Sequence, residues 1–268
     1  MILLLKLVIT PFFIAVVTLA GRRWGPTISG LLMGLPLTSG PVSFFLALQY
    51  GPAFAGRAAV GTLVGQASVC LYCLGYSAAA RRSSWPLSAL AAVCVFLLAT
   101  ALWNSLTWSV ATASAVLLAV ILLVSRLIPR QAVRPAAGQA PRWDLPARMI
   151  LAAAFVVALT TFANSLGPQL SGLLSPFPVF GLILSVFTHH QQGTGAVRGL
   201  LRAVVLGSLA FGGFFAVVGS AVTSWALPWT YALATLAALA MGGLSFYLTR
   251  TAGAPRLGGA AVHGAGRD

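Results

Sequence analysis

The residues able to do acid–base, nucleophilic or metal chemistry are few in this chain, and their placement excludes most catalytic schemes. Only two carboxylates occur among 268 residues, Asp144 in a polar loop and Asp268 at the end. No acid lies in an apolar run, so the usual intramembrane proton or cation relay is missing. Cys70 and Cys73 form a CxxC pair and Cys94 stands alone, all three in apolar stretches. On a helix the pair shares one face, but small thiols in such surroundings act as packing residues. His189 and His190 are adjacent, so a helix points them about 100° apart and makes them poor joint metal ligands. Neither HExxH nor GxSxG occurs, and both motifs carry defined mechanisms. The expectation is a protein that is not an enzyme and needs neither cofactor nor metal.

What remains is hydroxyl, amide and backbone chemistry, concentrated in Gly25 to Gly51, GPTISGLLMGLPLTSGPVSFFLALQYG. Gly25-Pro26 suits a helix start. Gly34-Leu35-Pro36-Leu37-Thr38-Ser39-Gly40-Pro41 then places two prolines and two glycines within eight residues. Proline inside a helix removes a hydrogen bond and clashes with the preceding turn, so an unwound segment is predicted near Thr38. Thr38 or Ser39 would cap a second half-helix starting near Pro41. A helix N-terminus presents free N–H groups and a positive dipole end, which favour an anion. Unwound carbonyls at the same depth favour a cation such as sodium.

The stretch returns as Gly167 to Gly193, GPQLSGLLSPFPVFGLILSVFTHHQQG, at a constant offset of 142 residues. Eleven of twenty-seven positions are identical, including Gly25/Gly167, Pro26/Pro168, Ser29/Ser171, Pro36/Pro178, Ser43/Ser185, Gln49/Gln191 and Gly51/Gly193. Helix breakers are not aligned by chance apolar similarity, so the chain carries an internal duplication. The second break is Ser175-Pro176-Phe177-Pro178, where Ser175 would cap a half-helix from Pro176. The candidate substrate-binding residues are Pro36, Thr38, Ser39, Gly40, Ser43, Ser175, Pro176, Pro178 and Ser185. Gln49 and Gln191 are candidate gates at opposite faces, and Ser29 and Ser171 beside glycines suit close helix contact.

These segments need a scaffold, and composition identifies it. The chain is 59% hydrophobic and 7% charged, against about a quarter charged in soluble domains. The reading is an all-α integral membrane protein. Nine apolar spans are predicted: Ile2 to Ala20, Thr27 to Tyr50, Phe54 to Ala80, Pro86 to Trp103, Thr107 to Val124, Leu145 to Ser165, Gln169 to His189, Ala196 to Ser220 and Pro228 to Leu248. The first resembles a signal peptide, but Arg22 and Arg23 follow it, so it reads as a retained helix. Alternating the loops puts fourteen arginines on one side and only Lys6 and Arg57 on the other. That positive-inside bias places the N-terminus outside and the C-terminus in the cytoplasm. The net charge of +14 is then a property of loops rather than a nucleic-acid surface.

The organisation expected is a four-helix repeat over 1–103, a connecting helix over 104–125 and a cytoplasmic Arg-rich loop over 126–144. A second four-helix repeat over 145–249 and a disordered tail over 250–268 complete it. The unpaired connector makes the second repeat begin on the opposite side, so the repeats would be inverted, with broken helices 2 and 7. Inverted repeats typify secondary transporters, whose sites lie at the repeat interface.

Leu35-Pro36-Leu37-Thr38-Ser39, within Ser29 to Gln49, resembles the LPLTS-type motif of small uncharacterised bacterial inner-membrane proteins. The second half departs from it at Ser175-Pro176-Phe177-Pro178. In architecture, crossed discontinuous helices within inverted repeats resemble the sodium/proton antiporter and bile-acid symporter group. That likeness implies transport, while the missing embedded acid argues against proton antiport. The expected partners are a small-molecule or ion substrate, the lipid bilayer and a second copy of the chain. The expected function is a bacterial inner-membrane permease for a small solute, with an anion favoured. A membrane scaffold that assists an envelope complex is the alternative from another class.

Overall fold

A computed structural model describes residues 2–131, 141, 143–155, 157–158 and 178–251. The described residues are helical throughout, with no strands. In chain order the helices are α1 (Ile2–Trp24), α2 (Pro26–Met33), α3 (Ser39–Tyr50), α4 (Pro52–Ala79), α5 (Trp85–Asn104), α6 (Val110–Leu127), α7 (144–155), α8 (Val179–Ala221) and α9 (Leu227–Thr251). Five of them, α4, α5, α6, α8 and α9, are long and apolar enough to cross a membrane.

Punctuation residues set the boundaries. Gly25 at φ 92° turns the chain between α1 and α2, and Pro26 opens α2. Gly51 does the same before Pro52, at φ 86° and ψ 165°. α8 is not one rod, because Gly193 has φ 81° and ψ −178° inside it. We call 179–192 α8a and 194–221 α8b. Gly51 and Gly193 are 142 residues apart and adopt nearly the same backbone conformation, one essentially reserved for glycine. Each separates a half-helix from a long helix.

α4 and α8b form the centre of the bundle. Arg198, near the start of α8b, donates to Ser77 near the end of α4. Midway, Gln66 donates to Ser208 at 2.8 Å. A side chain at Gly56, near the start of α4, would meet Val222 just past the end of α8b. The two helices therefore run antiparallel. Gln66 and Ser208 are themselves 142 apart, so positions equivalent in the sequence duplication touch each other at the crossing.

α8a runs parallel to α4 instead: Tyr72 lies beside Gly181 and Tyr76 beside His189. α6 seals the side of the α4–α8b pair with Ala113, Leu117, Ile121 and Val124, all buried at helical spacing. A Ser109–Thr112 capping box closes its first turn. Arg202 of α8b donates to the Ser125 and Ile128 carbonyls at its other end, satisfying groups a helix C-terminus leaves free.

α2 crosses α8b at unusually short range. A Cβ on Gly30 or Gly34 would overlap the α8b backbone at Leu200 and Gly207, and one on Gly207 would lie 2.8 Å from the Leu31 carbonyl oxygen. Glycines on both sides are what allow this backbone contact.

The structure moves one expected boundary with consequences for chemistry. Asp144, expected in a solvated loop, is the first residue of α7 and is fully buried. An arginine four residues on and two more partners from distant helices enclose it. Residues 132–140 of the loop and the tail beyond 251 lie outside the described residues.

Candidate functional site

The first break is real and compact. α2 ends at Met33, and five residues pass before α3 begins at Ser39, two earlier than the Pro41 expected. Proline fits there because an N-terminal turn needs no amide hydrogen. The Gly40 and Val42 amides bond to the Pro36 and Thr38 carbonyls. Thr38 holds the N-cap position, but its side chain makes no capping hydrogen bond. The expectation of a side-chain cap therefore fails on the first half-helix. The Thr38 and Ser39 side chains are half-buried and not committed to that role.

The rest of α3 is tied to the bundle. Gly40 lies under the Phe214 ring, whose Cζ would be 3.2 Å from a Cβ there. The Ser43 hydroxyl is buried 2.8 Å from the Tyr231 hydroxyl. Ser29 donates to the Val17 carbonyl, a packing contact between α2 and α1.

Ser171, Ser175 and Pro176 lie outside the described residues. The second half-helix starts at Val179, directly after Pro178, three residues later than the Pro176 expected. The Pro178 carbonyl accepts the Leu182 amide at 2.8 Å. α2 and α4 both approach the start of α8a: a Cβ on Gly181 would lie 4.0 Å from the Met33 methyl and 3.7 Å from the Tyr72 ring. Leu32 and Met33 also pack with Leu184 and Leu200.

Ser185, one turn further along α8a, is fully buried, and its hydroxyl has no hydrogen-bond partner among the described residues. The neighbouring Tyr72 hydroxyl lies within reach of Ser185 without a well-aligned hydrogen bond, and the Ser68 hydroxyl, one turn back on α4, has no partner among the described residues. A buried hydroxyl left without a partner costs about 1–3 kcal/mol, and native interiors tolerate few. Beside them the Gln66 amide donates to Ser208, which donates to the Val204 carbonyl. The Cys70 thiol also reaches Ser208, at 3.5 Å. The mid-bundle site is thus polar, uncharged and partly unsatisfied.

The candidate gates behave differently from each other. Gln49 is exposed, and its side chain donates to the Tyr50 hydroxyl. Gln191 donates to Asp144 and accepts from Arg148. Asp144 also takes Arg22 at 2.7 Å and the Arg148 Nε at 3.0 Å. The Arg148 guanidinium sits 4.5 Å from the Phe187 ring centre, a favourable cation–π distance. Burial alone would push the Asp144 carboxyl up. The Gln191 and Arg22 hydrogen bonds and the Arg148 charge outweigh it and hold the carboxyl below its ordinary range. This cluster joins α1, α7 and α8a, and among the described residues Gln49 has no counterpart to it.

An apolar groove of about 380 Å³ between α2, α8b and α9 is lined by Leu31, Leu35, Leu239 and Phe246. The Ser245 hydroxyl there is already bonded to the Leu206 and Met241 carbonyls. The groove is apolar and its lining offers no convergent polar groups.

No family model matches this chain, and neither a curated protein nor a solved structure does. Tyr72, Ser68, Gln66 and Ser208 were not among the residues expected at the site. Gln66 and Ser208 occupy equivalent positions of the 142-residue repeat, and that alignment was the signal for them. Asp144 and Arg148 carried a weaker signal, the opposite charges at i,i+4.

Proposed function

We propose that the chain is a secondary transporter of a bacterial cytoplasmic membrane, built from two inverted repeats that alternate access to a mid-bundle site. The observation that carries the reading is the close approach of α2, which ends at the first break, to α8a, the half-helix that starts after Pro178. Pro36 to Thr38 and Pro178 precede half-helices in corresponding parts of the repeat, and a Cβ on Gly181 would lie 4.0 Å from the Met33 methyl. Irregular backbone deep in a membrane is tolerated only beside protein or a watery cavity.

Inversion is supported by two features, and the equivalence of the halves by a third. α4 and α8b occupy equivalent places in the duplication yet run antiparallel. Gln66 bonds to its own equivalent, Ser208, as residues on a two-fold axis do. Gly51 and Gly193 share one rare conformation. An in-plane axis of this kind relates the halves of many transporters.

The substrate is a small polar solute held by hydroxyls and half-helix N-termini, with an anion favoured because those dipole ends are positive. In this reading the Asp144–Arg148–Gln191–Arg22 cluster closes the cytoplasmic end, and Gln49 marks the less restrained outer end. The N-terminus is outside, following the arginine bias.

The test is flux into proteoliposomes for inorganic phosphate, sulfate and short mono- and dicarboxylates. Saturable flux above empty vesicles, reduced when Ser185 and Tyr72 are replaced by Ala and Phe, is the expected result. Flux equal to empty vesicles across the panel, with a partner protein retained on purification, would favour the scaffold reading instead.

A further inference from the structure

The end of the bundle where α4 finishes and α8b begins carries an electrostatic imbalance that the transport reading leaves unexplained. The Nε of Arg198 donates to the Ser77 hydroxyl at 3.3 Å, and Ser77 is itself 2% exposed. One terminal nitrogen of Arg198 is buried with no partner among the described residues. Arg81, in the turn that ends α4, is close enough for its charge to act on Arg198. Arg81 is exposed and stands four residues beyond Ser77, the residue that Arg198 bonds, so the two guanidinium groups lie at the same end of the bundle.

The chain has almost nothing to neutralise them. Its whole acidic complement is Asp144 and Asp268. Asp144 is saturated by Arg22, Arg148 and Gln191, which leaves only the tail residue. Arg198 is half-buried, and leaving its one buried nitrogen without a partner is unfavourable. An anion from outside the fold would supply that partner.

We propose that Arg198, Arg81 and Ser77 form a binding site for a phosphate-bearing anion at this end of the bundle. The donor set suits that chemistry. A guanidinium fork matches phosphate oxygens two at a time. Ser77 accepts the Arg198 Nε–H, so its own hydroxyl hydrogen is free to donate. A phosphate has enough acceptor oxygens for two arginines and one hydroxyl, whereas a carboxylate has two. Basic pockets between helices at a membrane face hold lipid headgroups in this way, and a free phosphate offers the same oxygens. The site stands apart from the mid-bundle hydroxyls and does not depend on solute being carried.

The experiment uses the full chain, delipidated in a non-ionic detergent. Thermal unfolding is followed while phosphatidylglycerol, phosphatidylcholine or inorganic phosphate is titrated at constant ionic strength. Native mass spectrometry counts retained lipid. Wild type should be stabilised by phosphatidylglycerol and not by phosphatidylcholine. Arg198→Gln should weaken the apparent affinity about ten-fold, the worth of one charge-assisted hydrogen bond. Arg198→Lys, which keeps the charge and loses the fork, should fall between. Stabilisation by phosphatidylglycerol alone assigns the site to a lipid headgroup, and stabilisation by inorganic phosphate as well assigns it to phosphate in general. Equal titrations for wild type and both Arg198 variants overturn the proposal. So does a response that appears only after Asp268→Asn, because the tail carboxylate is then the counter-ion.

Discussion

Replacing Gly207 by alanine should break the tightest helix crossing in the bundle. The added Cβ would lie 2.8 Å from the Leu31 carbonyl oxygen and 3.0 Å from the Gly34 Cα. Both obstacles are backbone, so no rotamer change relieves them. Restoring an ordinary contact of 3.4 Å requires α2 and α8b to part by about 0.6 Å (3.4 minus 2.8), and such overpacking costs about 1–3 kcal/mol. Alanine's better helix propensity returns at most about 1 kcal/mol, so the net change remains destabilising. Gly34→Ala should cost more, because its Cβ would fall directly on the Gly207 backbone. Gly243→Ala on exposed α9, with nothing within 4 Å, supplies the control and should be neutral or slightly stabilising. The inverted-repeat reading adds a sharper demand: Gly65 is the equivalent of Gly207, so Gly65→Ala should be destabilising by a similar amount. Thermal unfolding in detergent measures all four, with about 2–4 °C expected per kcal/mol at this size. A Gly207→Ala protein as stable as wild type would refute the close-crossing argument. A harmless Gly65→Ala beside a damaging Gly207→Ala would refute the equivalence of the halves.

Other consequences can be checked in the same preparation. Asp144→Asn should cost about 3 kcal/mol, because it leaves Arg148 buried without its partner. Since the Asp144 carboxyl is held below its ordinary range, its contribution is complete above the unfolded value near pH 4. It is lost as pH falls through the folded one. The difference in Tm between wild type and Asp144→Asn should therefore be constant from pH 8 to 5 and shrink in stronger acid. Ser208→Ala should cost about 1–3 kcal/mol by stranding the buried Gln66 amide, and an unchanged Tm would remove that hydrogen bond from the account. Gly51→Ala and Gly193→Ala should each cost about 1–3 kcal/mol, because both would force alanine to a positive φ. A large difference between the two would mean that the hairpins are not equivalent.

The helix breaks were legible because glycine and proline act locally. Gly25, Gly51 and Pro26 set their turns whatever surrounds them, and the break at Pro36 follows from its missing amide hydrogen. The starting residues of α3 and α8 were less legible. Thr38 proved not to cap, so the residue that starts α3 carried no side-chain signal. The Asp144 cluster depends on partners 4, 47 and 122 residues away. Composition alone assigned an arginine-rich stretch around an acid to solvent, and only the meeting of α1, α7 and α8a buries it. Tyr72 and Ser68 looked like ordinary members of an apolar run, since nothing local distinguishes a packed hydroxyl from one facing a neighbouring broken helix. Gln66 and Ser208 were within reach of the repeat alignment, because they occupy the same position of the 142-residue repeat.

The central claim is that the unwound segment before α3 faces a water-filled path that opens alternately to the two sides. It is tested most directly by a single cysteine at Ser39, in a background where Cys70, Cys73 and Cys94 are replaced by alanine. Membrane-impermeant thiol reagents are applied from the outside of right-side-out vesicles and, separately, from the outside of inverted ones. The account predicts labelling from both sides, with Asp144→Asn increasing the rate from the cytoplasmic side. A Ser39→Cys protein that folds, inserts and remains unlabelled from either side would contradict it.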